Sequence, residues 1–273
     1  MLPGPPGGGR IDLAPRARRK GENMNPANMN LKNSLLIACL FVVSASVCLL
    51  PACSESATEV RATKPAASAD SWRSTFAIDK KNLISAGRNP YFPLLPGCKV
   101  HLSNDDETVV ISVLDDTKIV DGVECRVVEE RVSKGGKLAE VSRNYYAIDK
   151  NTNDLYYFGE DVDIYKDGKP AGHDGGAWLS GEKGAKFGLM LPGKPAVGDK
   201  YYQEIAPGTA MDRAEIMDAN ATLKTPLKTF TGVLSIRETT PLNPKEVSPK
   251  WYAPGVGMIG DDELRVTKVE QAK

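Results

Sequence analysis

From Pro90 onward the chain never sustains a helical period. Runs of β-branched and aromatic residues are cut instead by Gly, Pro, Asn and Asp. ETVVISVL (107–114), GVECRVVEERVS (122–133), LAEVSRNYYAID (138–149) and LYYFGED (155–161) follow one another in this way. Gly135-Gly136 and Asp167-Gly168 are two-residue hairpin signals, because both positions of such a turn favour a positive φ. The pattern continues through KYYQEIA (200–206), KTFTGVLSIRETTPL (228–242), PKWYAPGVGMIG and ELRVTKVE. Residues 210–226 begin with good helix formers, but they lie between strands and end in strand-like TLKT. Consecutive hairpins without crossover helices imply antiparallel pairing. The expected fold is all-β and mainly antiparallel. Its curved sheet closes as an open barrel or packs as a two-sheet sandwich, with few short helices.

Charges fall inside these strands at Glu124, Glu130, Arg143 and Glu204. They fit sheets with one wet face, or they line a polar cavity. On the run at 138–149, Ala139, Val141, Tyr145 and Ala147 share a parity that Arg143 breaks. One charge on an apolar face suggests an edge, a bulge or a cavity wall.

The leader reads as an address. Residues 1–23 are rich in Pro, Gly and Arg and bury too little surface to order, so they are a disordered extension or follow a start codon placed too early. Residues 24–52 read as a signal peptide: Lys32 precedes an uncharged run, SLLIACLFVVSASVCLL, at 34–50. Leu50-Pro51-Ala52-Cys53 closes that run and resembles a bacterial lipobox. The resemblance implies acylation of Cys53 with cleavage before it, and Pro51 departs from the commonest pattern. Several acyl chains, each adding about 0.8 kcal/mol per buried CH2, would hold the protein on a lipid bilayer. An uncleaved anchor and a soluble secreted protein are the alternatives. The Ala/Ser/Thr-rich stretch that follows reads as a flexible tether, placing lipidated Cys53 and its tether at 53–87 and the β-rich domain at 88–273. In a Gram-negative cell, Ser54 after the lipidated Cys resembles sorting to the outer membrane, facing the periplasm.

Charge argues against nucleic-acid binding. The whole chain balances 35 Lys+Arg against 35 Asp+Glu. Residues 1–52 carry six basic and two acidic side chains, so the remainder is net −4. That sign argues against a nucleic-acid partner. Cys39 and Cys48 leave with the leader, and Cys98 and Cys125 remain in an oxidising compartment, where a pair reads as a disulfide. It would contribute about 3 kcal/mol in the chain-entropy picture. Two separate buried thiols are the alternative.

Several segments together carry a family resemblance. NPYFPLLPG (89–97), GVECRVVEE, YYAIDKNTNDLYYFGED, GGAWLSG, YYQEIAPGTAMDRAEI and KWYAPGVGMI resemble a group of uncharacterised bacterial secreted proteins and lipoproteins that open with a Tyr-Phe-Pro-Leu-x-x-Gly motif. Val100 and Leu102 depart from the aromatics usual there, and the DKNTND turn is one residue longer. The resemblance implies envelope location and fold, and carries no activity.

Signatures of catalysis are sparse. G-x-S-x-G, H-E-x-x-H, the P-loop and G-x-G-x-x-G are absent from the sequence, and no cofactor is expected. The two histidines, His101 and His173, read as surface or loop residues. No metal site is expected either. Asp149, Asn151, Asn153 and Glu160 do match calcium-loop positions 1, 3, 5 and 12, but Asp154 stands where that loop needs Gly, and an Asx-rich turn has the same composition. Carboxylates beside aromatics are the remaining candidates: Glu160, Glu204 and Asp212 with Tyr157, Trp178 and Tyr202, as a pocket for a small polar or lipidic ligand. The expected role is non-enzymatic binding of such a ligand or of an envelope protein. The alternatives are a carboxylate-dependent hydrolase acting on saccharides and a structural spacer.

Overall fold

Alternating apolar and polar side chains make nearly every segment of the body a strand. The computed structural model describes residues 71–173 and 175–272. The leader, Cys53 and most of the tether lie outside the described residues. A turn of 3-10 helix, Lys80–Asn82, leads into β1 (Leu83–Ile84), β2 (Gly87–Asn89) and β3 (Phe92–Leu94). The long hairpins are β4 (Lys99–Ser103), β5 (Glu107–Val120), β6 (Val123–Lys134), β7 (Lys137–Asp149) and β8 (Leu155–Lys166). Shorter strands follow: β9 (Lys169–His173), β10 (Trp178–Leu179), β11 (Lys186–Leu191), β12 (Lys200–Tyr202) and β13 (Glu204–Ile205). The chain finishes with β14 (Arg213–Lys224), β15 (Thr229–Thr240), β16 (Asn243–Ala253), β17 (Gly257–Asp261) and β18 (Leu264–Glu270). The ambiguous segment at 210–226 is therefore mostly strand.

The sheet runs β12-β14-β15-β16-β17-β18-β4-β5-β6-β7-β8-β11-β13, antiparallel at every step. Its two ends, β12 and β13, are separated only by Gln203. One stretch of chain therefore borders β14 on one side and β11 on the other, and the sheet comes round nearly to closure as an open barrel. Gly188 on β11 makes that closure fit: a Cβ there would stand 2.3 Å from the Gln203 carbonyl oxygen. The hairpin turns have the expected chemistry. Gly135-Gly136 and Asp167-Gly168 all have positive φ, as a two-residue turn matched to strand twist requires.

A small second sheet, β2 with β3, packs at one end of the barrel. The Asn89 side-chain amide donates to the carbonyls of Asn153, Leu191 and Pro192. The Gly255 amide donates to the Pro90 carbonyl, and the Tyr91 hydroxyl to that of Ala219. The segment thus touches both sides of the barrel, and Phe92 and Leu94 join the main core. The Tyr-Phe-Pro-Leu motif is this plug. The fold also starts earlier than the expected boundary at 88. β1 pairs with β7, Phe76 packs edge-on against Tyr156, and Arg73 bridges to Tyr201.

The expected disulfide does not form. Cys98 and Cys125 are both buried free thiols. Cys98 bonds through its backbone to Val113 on one flank of β5, whereas Cys125 pairs with Lys118 on the other flank. Those positions are five residues apart along β5, about 16 Å at roughly 3.3 Å per residue. A disulfide needs Cα atoms within about 7 Å. Burial pushes the Cys125 thiol up to about 12, so it is a packed, unreactive side chain.

Candidate functional site

Register decides which side chains share the barrel interior, because residues directly opposite each other project to one face. Val113, Val128, Asn144, Glu160 and Trp178 form one such row. Ile111, Glu130, Ser142 and Val162 form the next, and Val109, Val132, Glu140 and Ile164 a third. Across the barrel, Ile216, Ile236, Lys250, Asp261 and Leu264 make a row, with Ala214, Glu238 and Ser248 beside it. The two walls face each other. Asp261 and Lys250 act electrostatically on Glu130, and Tyr252 acts on Tyr146.

The interior is graded along its length. Apolar and aromatic side chains fill the plugged end, including Leu94, Ile148, Leu155 and Leu191. Carboxylates gather toward the end marked by the β6–β7 turn. Burial raises the pKa of each. Glu160 goes up to about 8, with Glu140 adding to the effect, and Glu130 and Glu238 go up to about 7. Glu204 is also raised, by burial and by the Asp212 charge, and burial raises Asp212. The Asp212 amide donates to Glu204 Oε1 at 2.6 Å. Lys250 is the counter-charge. Its Nζ lies 2.6 Å from Asp261 Oδ1 and 3.7 Å from Glu238 Oε1. Burial alone would lower its pKa, but Glu238 and Asp261 outweigh that and hold it above the ordinary lysine value.

Glu130 and Glu238 lie deep among protein atoms, which is why burial raises them, yet both keep accessible surface. Glu107 and Glu140 also keep accessible surface, and Glu107 pairs with Lys134 at 3.7 Å. Aromatic rings form the floor. Tyr146 and Tyr157 lie 4.9 Å apart, and Trp178 packs edge-on against Tyr157 at 5.2 Å. The Tyr157 hydroxyl donates to Asn144 Oδ1 at 2.6 Å, next to the Glu160 carboxylate.

Five of the six residues singled out in the sequence meet here: Tyr157, Glu160, Trp178, Glu204 and Asp212. Tyr202 does not. It alternates with buried Tyr201 on β12, and its ring lies 5.9 Å from the Arg213 guanidinium, which also stacks on Trp72. The strand charges divide. Glu204 is buried and Glu130 half-buried in the cluster, Glu124 is exposed, and Arg143 pairs outside with Asp163 at 2.8 Å. The calcium-loop spacing is an Asx turn. Asp149 Oδ1 accepts from the amides of Asn151 and Thr152, while Glu160 lies up the strand, opposite Trp178. Among the described residues no group of acidic, His or Cys side chains could hold a metal ion. His101 pairs with Glu270 and His173 with Asp163. Glu140, Glu238, Lys250, Asp261, Tyr146 and Tyr252 were not singled out as site residues. Glu238 did carry the signal read at Arg143, a charge on apolar parity, since it follows Leu234 and Ile236.

A concavity of about 520 Å³ lies by the turn before β8, lined by Arg73, Asn151, Thr152, Asp154, Lys194, Asp199 and Tyr201 among others. It is a half-open surface pocket and holds none of the raised carboxylates.

No family model, curated protein or solved structure matches this chain. Among the described residues no helix is long and apolar enough to cross a membrane.

Proposed function

We propose that this is an envelope lipoprotein, anchored through acylated Cys53, whose barrel binds a small ligand at its acidic end without transforming it. The single observation behind this reading is the row structure of the interior, in which carboxylates stand on faces otherwise reserved for apolar side chains. Burying charge is costly, and packing alone would be served better by apolar residues of similar volume. A group kept at that cost, with accessible surface beside it, reads as a binding site.

The carboxylates favour binding over hydrolysis. Acid/base catalysis needs two groups whose environments push their acidities apart. Here burial raises Glu130, Glu160, Glu204, Asp212 and Glu238 in the same direction.

Native mass spectrometry of the full chain extracted from membranes tests the proposal. The expected result is a small-molecule adduct that is lost in a Glu160→Gln, Glu238→Gln double variant. An adduct-free mass for the unsubstituted protein would contradict the reading. Anchoring is tested separately: Cys53→Ala moves the protein from the membrane to the soluble fraction, and an unchanged distribution would contradict lipidation.

A further inference from the structure

We infer that the surface pocket beside the β7–β8 turn is an anion site, and that it takes a small phosphate ester between Arg73 and Lys194. It lies apart from the acidic interior and does not depend on the binding role proposed there.

Three stretches of chain meet to build this pocket. Arg73 comes from the segment that enters the fold, Asn151, Thr152 and Asp154 from the β7–β8 turn, and Lys194 and Asp199 from the loop between β11 and β12. Backbone contacts fix all three. The Arg73 amide donates to the Lys200 carbonyl at 3.0 Å, and the Tyr202 amide donates to the Arg73 carbonyl at 2.9 Å. A Cβ at Gly193 would stand 2.0 Å from the Thr152 carbonyl oxygen, so turn and loop touch main chain to main chain. The Asn89 amide ties the same two together through the carbonyls of Asn153 and Pro192. Tyr201 lines the pocket while only 1% exposed, so it forms the bottom. Walls held this way need little ordering on binding, and about 520 Å³ suits a small molecule.

Charge decides the ligand class. The lining sets Arg73, Lys194 and Lys200 against Asp154 and Asp199. Both carboxylates hold the loop: Asp154 Oδ1 accepts from the Gly193 amide at 2.7 Å, and Asp199 Oδ2 from the Ala196 amide at 3.0 Å. Lys200 pairs with Glu215 at 3.8 Å. Among the described residues, Arg73 and Lys194 form no ion pair and their side chains make no hydrogen bond. The Arg73 guanidinium lies over the Phe76 ring at 4.9 Å, a contact that leaves its fork of N–H donors for a ligand. Neutral donors stand beside it. The Asn151 side-chain amide has no hydrogen bond among the described residues, and Thr152 Oγ1 accepts from the Asp154 amide, which keeps its O–H to donate.

A phosphate monoester matches this set. It carries a charge of about −1.5 to −2 near pH 7, against two unpaired cations, and offers three acceptor oxygens to the guanidinium, the ammonium and the neutral donors. A carboxylate brings less charge and two oxygens. Asp199 Oδ1 accepts no hydrogen bond among the described residues, so it suits a hydroxyl on the organic part of the ester.

Isothermal titration of the full chain in detergent, at about 0.15 M salt, tests this with glycerol 3-phosphate, sodium glycerate and dihexanoyl phosphatidic acid as probes. The expected result is saturable heat with glycerol 3-phosphate and weaker binding of glycerate. Arg73→Gln and Lys194→Gln, both at exposed positions, should each weaken glycerol 3-phosphate about tenfold, as the loss of a hydrogen bond to a charged group does. Lys169→Gln, on the exposed strand β9, should leave it unchanged. Heat with dihexanoyl phosphatidic acid alone, lost in the same two variants, supports the site and makes its phosphate that of a lipid head group. Glycerate bound as tightly as glycerol 3-phosphate overturns the phosphate assignment. Equal binding by the parent and both pocket variants overturns the placement, and silence with all three probes overturns the site.

Discussion

Lys250 and Glu160 show how single residues set the chemistry of the interior. Glu160 is 6% exposed, and its pKa moves from 4.5 to about 8. A carboxyl raised in the folded state binds its proton more tightly there than in the unfolded chain. Its favourable contribution is complete below pH 4.5 and is lost as pH rises toward about 8. Glu160→Gln removes that dependence. Chemical denaturation should show the variant a few kcal/mol more stable than the parent at pH 8 and nearly equal at pH 4.5; equal stability at both values would contradict the burial of an ionisable group. Lys250 works in the opposite sense. Lys250→Met leaves Asp261 and Glu238 facing each other without a cation, and breaking a buried pair this way costs about 3–5 kcal/mol. Urea unfolding at pH 8 measures it, and a loss under about 1 kcal/mol would show the pair to be dispensable. Glu130 carried a readable sign of its place, because Val128 and Val132 flank it on the same parity. Asp261 carried none, since register alone puts it beside Lys250.

At the scale of elements, the closing stretch at 200–205 is the feature on which the barrel depends. It pairs for three residues with β14 and for two with β11. Such short ladders give little margin, so the close backbone approach at Gly188 matters. Gly188→Ala would drive a methyl into the Gln203 carbonyl, and overpacking of this kind costs about 1–3 kcal/mol. Hydrogen exchange should show the amides of 200–205 losing protection in the variant while β5–β7 keep theirs. Unchanged protection would mean that closure does not depend on this contact. The strands and their turns were legible in the sequence, because hairpin pairs such as Asp167-Gly168 act locally. Closure was not. It joins Gln203 to β11 and β14 through contacts that no local pattern encodes, so barrel and sandwich stayed equally open. Tertiary pairing likewise overrode helix propensity in β14. The plug at 89–94 was visible only as a motif, and its role came from the partners of Asn89.

For the whole molecule, the described residues are held by burial and pairing, with no covalent staple among them. The cysteine count suggested a bridge, but register holds Cys98 and Cys125 on opposite flanks of β5. The melting temperature should therefore be the same with and without reductant, and free-thiol labelling after denaturation should find both cysteines reduced. A shift of several degrees on reduction would contradict the register. The net −4 left after residue 52 also has an address in the fold. Several of its carboxyl groups lie inside, where burial favours the protonated form, while surface charges such as Arg143 and Asp163 pair with each other.

Carboxyl carbon NMR of glutamate-labelled protein, followed from pH 4 to pH 9, tests the accessible acidic interior most directly. The account expects three glutamates to titrate reversibly near pH 7–8, assigned to Glu130, Glu160 and Glu238 by their glutamine variants. Titration of every glutamate near 4.5 would contradict it.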